Sequence, residues 1–342
     1  SFSHMCMVAA LFFFSEGIAQ DAEKRILRAG GLLFGDMYYI TSHHLEDGKG
    51  AMGAVLRRGY LTFDTEFGKR WFGRLRFEVN QSGEFETYNF EADFKDLYVG
   101  LKAGRQQLTF GLSPPPTFDL IEAHWGLRYL VRTPLDLQGV ASRDFGVAVK
   151  GPINKAETFV YRAMLGSGIN FGAETDDGWH WMGAISWKPA PEWVFDVYLD
   201  YERLPGPGDR ATFQFFTGYK TELLRWGLQY SNQDRQDDPR LHLASGYIIG
   251  QVVKRMSLIG RVDRIIEPSP KGNNISYIPF DPDSKATFFI TGLEFPITSY
   301  FLLTPNVVFI HYDENDSGAR PDNDLHLRLT LFLDLEGSIG LF

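Results

Sequence analysis

Arginine side chains recur at alternate positions along several segments of this sequence. Arg74 and Arg76 share one parity of a stretch whose other parity is apolar, and Arg58 lies in a similar stretch upstream. If each stretch is a β-strand, alternate side chains point to the same face and form a row of guanidinium groups. Guanidinium groups bind phosphate and carboxylate oxygens in bidentate geometry, so such a row could bind anions and pass them along.

Acidic side chains share these polar faces. The cations that we place on the polar parity are Arg58, Arg70, Arg74, Arg76, Lys102, Arg105, Lys150, Arg225, Arg261 and Arg328. The acids are Asp64, Glu78, Asp96, Asp144, Asp196, Asp200, Glu202, Asp263 and Asp334. The two sets nearly balance, so two roles stay open: selection of charged solutes, or mutual ion pairing that satisfies a polar wall.

The segment 113–142 could supply further anion contacts. It reads SPPPTFDLIEAHWGLRYLVRTPLDLQGVAS, which is too apolar for a solvent-exposed loop. Pro114–Pro116 cannot join a sheet ladder, and we predict that Asp119 caps a short helix. The apolar residues expected to pack inward are Leu120, Ile121, Trp125 and Leu127, and the flanking cations are Arg128, Arg132 and Arg143.

Other chemistry has weaker support. There is no Gly-x-Ser-x-Gly motif to mark a hydrolase nucleophile. The 313–324 segment has part of the spacing of a calcium-binding loop, but Asp324 stands where that loop has a bidentate Glu. No helices are expected to flank it, so a solvent-exposed loop is the favoured interpretation.

The elements that would hold these residues are strands of about ten residues with period-two alternation, the pattern of transmembrane β-strands. In the last of them every second residue from Leu325 to Leu335 is leucine. Polar parity should face the interior and apolar parity the lipid. The predicted strands are 31–40, 55–66, 70–80, 94–102, 105–112, 143–150, 157–165, 179–188, 193–202, 211–220, 223–231, 241–252, 255–266, 286–295, 301–312 and 323–335.

Loop lengths and aromatic residues favour the same architecture. Short connections such as FGKR and KAGR alternate with long ones such as 113–142 and 267–285, as in an up-and-down outer-membrane barrel. Trp179 and Trp187 bracket one predicted strand, which suits the aromatic girdles of such barrels. A terminal Phe342 also resembles the C-terminal aromatic of outer-membrane barrels.

Composition excludes some classes. The chain has 342 residues, a formal charge of −9 and no apolar run of membrane-helix length, and this charge argues against a nucleic-acid-binding protein. Its one cysteine, Cys6, permits no intramolecular disulfide. The apolar run MCMVAALFFF and the small Ala19 predict a secretory leader over residues 1–19, followed by a barrel over 20–342.

A family resemblance covers about residues 57–151. RRGYLTFDTEFGKRWFGRLRFEVN, FKDLYVGLKAGRQQLTFG, PPTFDLIE and ASRDFGVAVKG resemble the phosphate-selective O- and P-type porins. The resemblance implies a trimeric sixteen-stranded porin whose inward-folded loops and arginine ladder conduct phosphate or other anions. Where the family tends to carry a basic residue just before the loop proline, this chain has Ser113.

We therefore expect an all-β, transmembrane, antiparallel up-and-down barrel of about sixteen strands with one long loop, 113–142, folded inward. We expect passive diffusion of small polar solutes, particularly anions such as phosphate, through the outer membrane of a Gram-negative bacterium. A homotrimer in outer-membrane lipid is expected, with no catalysis, cofactor, metal or nucleic-acid partner. The predicted pore contacts are Arg58, Arg74, Arg76, Arg105, Arg128, Arg132 and Arg143. A barrel hydrolase and a plugged structural or adhesive barrel remain alternatives.

Overall fold

Long antiparallel β-strands form most of the described chain. The computed structural model describes residues 25–81, 90–140, 142–168, 178–204, 208–236, 239–253, 255–269, 271–275 and 277–335. In chain order, the strands β1 to β16 are Arg25–Ser42, Met52–Phe67, Trp71–Gln81, Phe90–Ala103, Gln106–Ser113, Asp144–Pro152, Phe159–Gly166, Trp179–Trp187, Trp193–Arg203, Arg210–Lys220, Leu224–Arg235, Leu241–Val253, Met256–Ile265, Ala286–Pro296, Phe301–Tyr312 and Asp324–Asp334. The predicted leader 1–19 and the terminal Phe342 lie outside the described residues.

The sheet closes on itself. Each strand pairs with its sequence neighbours, and β1 pairs with β16 from Leu32 opposite Asp334 to Ile40 opposite His326. The predicted sixteen-stranded antiparallel barrel is thereby confirmed. No helix of the described residues is long and apolar enough to cross a membrane.

Side-chain alternation separates the two faces of the wall. On β16, Asp324, His326 and Arg328 are buried inside the barrel, whereas Leu327 is 44% exposed on the outside. Trp179 and Trp187 are likewise exposed on the outer face. The period-two pattern of the sequence therefore corresponds to inside and outside positions along these strands.

Connection length differs between the two ends of the barrel. The turns after β2 and β4 are only a few residues long, whereas the loops before β6 and β14 span 114–143 and 266–285. Because successive strands run in opposite directions, all short turns lie at one end and all long loops at the other. We call these the short-turn end and the long-loop end.

The 114–143 connection, here called the inward loop, lies inside the barrel and contains helices α1 (Pro116–Trp125) and α2 (Pro134–Leu137). Pro116 starts α1, and Gly126 ends it with a left-handed φ of 66°, as is usual for a residue just past a helix C-terminus. The predicted capping role of Asp119 is wrong, because the helix begins three residues earlier. Asp119 lies in the first turn of α1 and pairs with Lys150 at 3.3 Å.

One side of the interior is apolar. Trp125 and Leu130 of the inward loop are almost fully buried against Ile259 and Phe288 of β13 and β14. Residues around Ile278 in the 266–285 loop join this cluster. The expectation that inward positions are polar is therefore wrong for many positions of β12 to β15, because the inward loop and the 266–285 loop cover that wall. It is correct for Arg261 and Asp263 of β13, which face inward and pair with each other.

Candidate functional site

Two consecutive arginines of β2 lie inside the barrel because the strand is bulged. Phe34 of β1 pairs with Arg58, but the next residue, Gly35, pairs with Leu56, so that Arg57 has no partner of its own. A bulge of this kind shifts the alternation by one residue. Arg57 and Arg58 are consequently both buried or nearly so within the lumen.

A second bulge adds a lysine. Arg76 of β3 pairs with Asp96, and the next residue, Phe77, pairs with Phe94, which leaves Lys95 as the extra residue. The Lys95 Nζ lies 3.4 Å from a carboxylate oxygen of Glu78. Strict alternation of side chains places neither Arg57 nor Lys95 inside the barrel, so the sequence pattern did not predict either residue as a pore contact.

Four arginines surround a small cavity between the inward loop and the wall. The cavity has a volume of about 20 Å³ and is lined by Arg57, Arg58, Arg128 and Arg132, with Tyr277 of the 266–285 loop at its edge. This space is sufficient for a water molecule or a small ion. We call these four residues the arginine cluster; three of them, Arg58, Arg128 and Arg132, are predicted pore contacts that the fold brings together.

Carboxylates neutralise part of the arginine cluster. Arg58 lies 3.0 Å from Glu78, and Arg128 contacts both Glu122, at 3.2 Å, and Asp136. Arg57 pairs with Asp36 at 2.8 Å. These contacts support the alternative that the inward charges satisfy one another.

Arg132 differs from the other members. Within the described part of the chain it has no ion-pair partner, and its buried Nη2 has no hydrogen-bond partner. Burial lowers the pKa of Arg132 to about 10, with Asp136 acting in the opposite direction and the neighbouring cations Arg58 and Arg128 lowering it further. Its guanidinium group therefore stays charged at neutral pH and keeps hydrogen-bond donors to spare beside the cavity.

Guanidinium groups also hold the inward loop in place. Arg57 donates hydrogen bonds to the backbone carbonyls of Tyr129 and Leu130, the latter at 3.0 Å. On the opposite wall, Arg261 donates to the carbonyl of Arg132 at 2.7 Å. The backbone of the inward loop is thus held by arginines of two different strands, β2 and β13.

A larger cavity remains open on the other side of the inward loop. It has a volume of about 270 Å³ and lies between Pro114–Pro116 and the wall of β3 to β7. Arg74, Lys150 and Arg162 line it, together with one carboxylate, Asp119. We call this space the lateral cavity; its lining carries more cations than anions.

Aromatic rings complete the wall of the lateral cavity. Phe72 and Tyr98 meet edge to face with their centroids 6.4 Å apart. Arg74 is held by Asp64 through two hydrogen bonds of 2.7 and 2.9 Å. The guanidinium group is therefore in a fixed position although it faces water.

The remaining predicted contacts separate into two places. Arg76 and Arg143 converge on the fully buried Asp96, with Arg76 at 3.8 Å. Arg105 lies in the turn between β4 and β5, where it is exposed and pairs with Glu157 at 2.6 Å. Its assignment to the lumen is wrong, because the preceding strand has already ended at Ala103.

The 313–324 loop is organised by side-chain contacts of its own. The Asn315 side-chain oxygen accepts hydrogen bonds from the backbone of Ser317 and Ala319, and Asp313 pairs with Arg264. Asp324 lies at the start of β16 and is fully buried. The residues of the calcium-like spacing are therefore divided between an exposed turn and the interior; they are Asp313, Asn315, Ser317, Gly318 and Asp324.

No protein-family model matches the chain, and no curated protein sequence matches it. Solved structures do share its fold. An anion-selective porin from Comamonas acidovorans has a TM-score of 0.65 and 12% identity, over 91% of this chain and 100% of that one. The outer membrane channel DcaP of Acinetobacter baumannii has a TM-score of 0.63 and 11% identity, over 91% of this chain and 97% of that one. OmpF of Salmonella typhi has a TM-score of 0.63 and 11% identity, over 92% of this chain and 99% of that one. The chain therefore shares the barrel fold of these outer-membrane proteins.

Proposed function

We propose that this chain is an outer-membrane porin of a Gram-negative bacterium, through which small polar solutes diffuse passively with a mild preference for anions. The observation that carries the anion preference is the lining of the lateral cavity, where three cations, Arg74, Lys150 and Arg162, lie beside one carboxylate, Asp119. The carboxylates that pair with Arg74 and Arg162, Asp64 and Asp196, are not part of that lining. A pore wall with excess charge of one sign favours ions of the opposite sign. In this arrangement the long-loop end faces the outside and the short-turn end the periplasm.

Phosphate is proposed as one of the anions that pass, as the sequence resemblance implies. Arg58, Arg74 and Arg128 each have a carboxylate within 3.2 Å. Those carboxylates compete with phosphate oxygens for the same donors. We therefore propose weak discrimination among small anions. Within the arginine cluster, Arg132 has the most hydrogen-bond donors to spare for a passing anion.

We also propose that the chain has no catalytic role and assembles as a homotrimer in outer-membrane lipid. A trimer form is named for OmpT, an outer membrane protein of Vibrio cholerae, which shares this fold at 10% identity. A hydrolase would need a histidine activated beside a nucleophile. His180 instead lies between two carboxylates, 3.1 Å from Asp144 and 3.3 Å from Asp200.

Planar-bilayer recording of the purified protein tests the proposal. We expect ohmic conductance and, in a KCl gradient, a reversal potential on the anion-selective side. Arg74→Gln combined with Lys150→Gln should move that potential toward cations, because two of the three positive groups that line the lateral cavity are removed. The matched variant Asp119→Asn should move it the opposite way.

Different results would overturn different parts of the proposal. Absence of conductance from folded protein would exclude a porin and favour a plugged structural barrel. A cation-selective wild type would exclude only the anion preference. Steady ester hydrolysis by folded protein, abolished by a single serine substitution, would replace the channel with an outer-membrane hydrolase.

A further inference from the structure

A group of histidines lies at the long-loop end of the seam between β1 and β16. His43 and His44 directly follow β1, and Asp324 and His326 lie at the start of β16. Ligand-capable atoms of His43, Asp324 and His326 all lie within 4.8 Å of one another. The three side chains are almost completely buried, with exposures of 1%, 0% and 2%.

Two imidazole nitrogens in this group lack partners. The Nε2 atoms of His43 and His326 are buried without a hydrogen-bond partner among the described residues. Buried polar atoms without partners are uncommon, because each loses its hydration and gains nothing in return. The two rings stack with their centroids 5.6 Å apart and lie beside the buried carboxylate of Asp324. Imidazole nitrogens and carboxylate oxygens are ligand types that a transition-metal ion takes.

The carboxylate is held in a fixed orientation. Asp324 accepts hydrogen bonds from the Tyr312 hydroxyl at 2.6 Å and from the His44 backbone N–H at 2.6 Å. The His44 ring nitrogen Nδ1 lies 3.0 Å from both of its oxygens. Metal-binding carboxylates are commonly oriented by hydrogen bonds of this kind from neighbouring groups.

We infer that His43, Asp324 and His326 bind a divalent transition-metal ion such as Zn²⁺. Two imidazoles and one carboxylate are ligands that Zn²⁺ takes, with a fourth position left for water or a further side chain. Calcium and magnesium prefer oxygen ligands and fit this set poorly. The site is separate from the lateral cavity and the arginine cluster, so it does not depend on the proposed channel function.

Metal binding would rearrange one local contact. The Leu45 backbone N–H donates to His43 Nδ1 at 3.0 Å, which places the ring proton on Nε2. Coordination of the metal through Nε2 would move that proton to Nδ1. A protonated Nδ1 cannot accept a hydrogen bond, so the bond from the Leu45 N–H would be lost. The His43 ring packs closely on Gly48, where a Cβ would lie 2.6 Å from the ring, so the 43–51 loop keeps the ring over the site.

The consequence is a link across the closing seam. His43 belongs to the loop after the first strand, whereas Asp324 and His326 belong to the last strand. An ion bound by all three would link the loop after the first strand to the last strand, and a ligand that binds only the folded state raises its stability. We therefore expect Zn²⁺ to raise the unfolding temperature.

The test uses folded full-length protein in detergent, titrated with ZnCl₂ in competition with a chromophoric chelator. We expect a site that binds one Zn²⁺ per chain, and affinity at least tenfold weaker in His43→Gln and in His326→Gln. CoCl₂ should give the visible absorption bands of a nitrogen- and oxygen-ligated site in wild type and not in these variants. His311→Gln, which changes a histidine outside the group that contacts Arg320, should bind like wild type.

Two results would overturn the inference: no Zn²⁺ binding by wild type, or unchanged affinity in the His43→Gln/His326→Gln double variant. Folding is checked by the migration of unheated protein in SDS gels. If His326→Gln does not fold, His43→Gln decides the question, because His43 lies in a loop and outside the sheet ladder. A Zn²⁺-dependent rise in the unfolding temperature that persists in His43→Gln would also contradict it.

Discussion

The two sides of the barrel interior differ in how they satisfy the side chains that face inward. On β2 to β6, inward charges form ion pairs such as Arg74 with Asp64, and the lateral cavity stays open beside them. On β12 to β15, inward positions such as Ile259 and Phe288 are apolar and are covered by the inward loop. The inward loop thus packs on the apolar wall of β12 to β15, here called the dry wall, and the lateral cavity lies beside the charged wall of β3 to β7.

The largest expected effect comes from removing the packing of the inward loop on the apolar wall of the barrel. Trp125 is 1% exposed, packs on Tyr247 at a centroid distance of 4.8 Å and donates to the Val131 carbonyl. Trp125→Ala should lower the free energy of unfolding by about 3–5 kcal/mol, as for other buried aromatics. Conductance should also rise, since the loop loses its main anchor.

Denaturant unfolding and single-channel recording check this together. The matched control is Trp181→Ala on the outer face, where the ring is 60% exposed. It should leave conductance unchanged. A Trp125→Ala channel with wild-type conductance would show that the inward loop does not depend on its apolar side for its position.

A smaller effect is expected from the polar anchors of the same loop. Arg57→Gln removes the donors to the Tyr129 and Leu130 carbonyls. Asp36 keeps a hydrogen bond from Thr330. We therefore expect the free energy of unfolding to fall by about 1–3 kcal/mol, the cost of leaving a buried hydrogen-bonding group without its partner. Open-channel noise should increase as the loop becomes less fixed.

Arg264→Gln is the control for this variant, because Arg264 pairs with Asp313 at the partly exposed rim. It should change neither noise nor stability appreciably. Equal noise in the two variants would mean that the Arg57 contacts do not position the loop.

Much of this comparison could be predicted from sequence, and the exceptions have identifiable causes. All sixteen strands follow from period-two alternation, and Pro114–Pro116 already marks the start of the inward loop. Arg57 and Lys95 escape the same reasoning, because each is the extra residue of a bulge. A bulge depends on the pairing of two strands, which a single strand's pattern does not contain.

The dry wall is missed for a different reason. Along β12 the neighbours Ile248 and Ile249 are both apolar, although Ile248 is 55% exposed outside and Ile249 is buried inside. Parity alone does not tell which of them faces inward. The lateral cavity escapes prediction for a similar reason, since it depends on where the 114–143 segment packs.

The smallest expected effect is that of a variant that tests whether Arg105 lies outside the permeation path. Arg105→Gln removes an exposed ion pair with Glu157 in a turn, and such pairs contribute less than about 1 kcal/mol. We expect wild-type stability and an unchanged reversal potential, because the guanidinium group lies outside the lumen. A shift toward cations as large as that of the Arg74→Gln/Lys150→Gln double variant would instead place Arg105 in the permeation path.

The closing seam has a consequence for how the molecule forms. Thr330 of β16 donates to Asp36 of β1 at 2.6 Å, across 294 positions of the chain. Contacts of such high contact order require a long segment to be ordered before they form, which slows folding. Until β16 arrives, β1 and β15 present open edges that can pair with other chains. Closure of the barrel must therefore wait for β16, and truncation within β16 should leave an aggregating sheet instead of a smaller barrel.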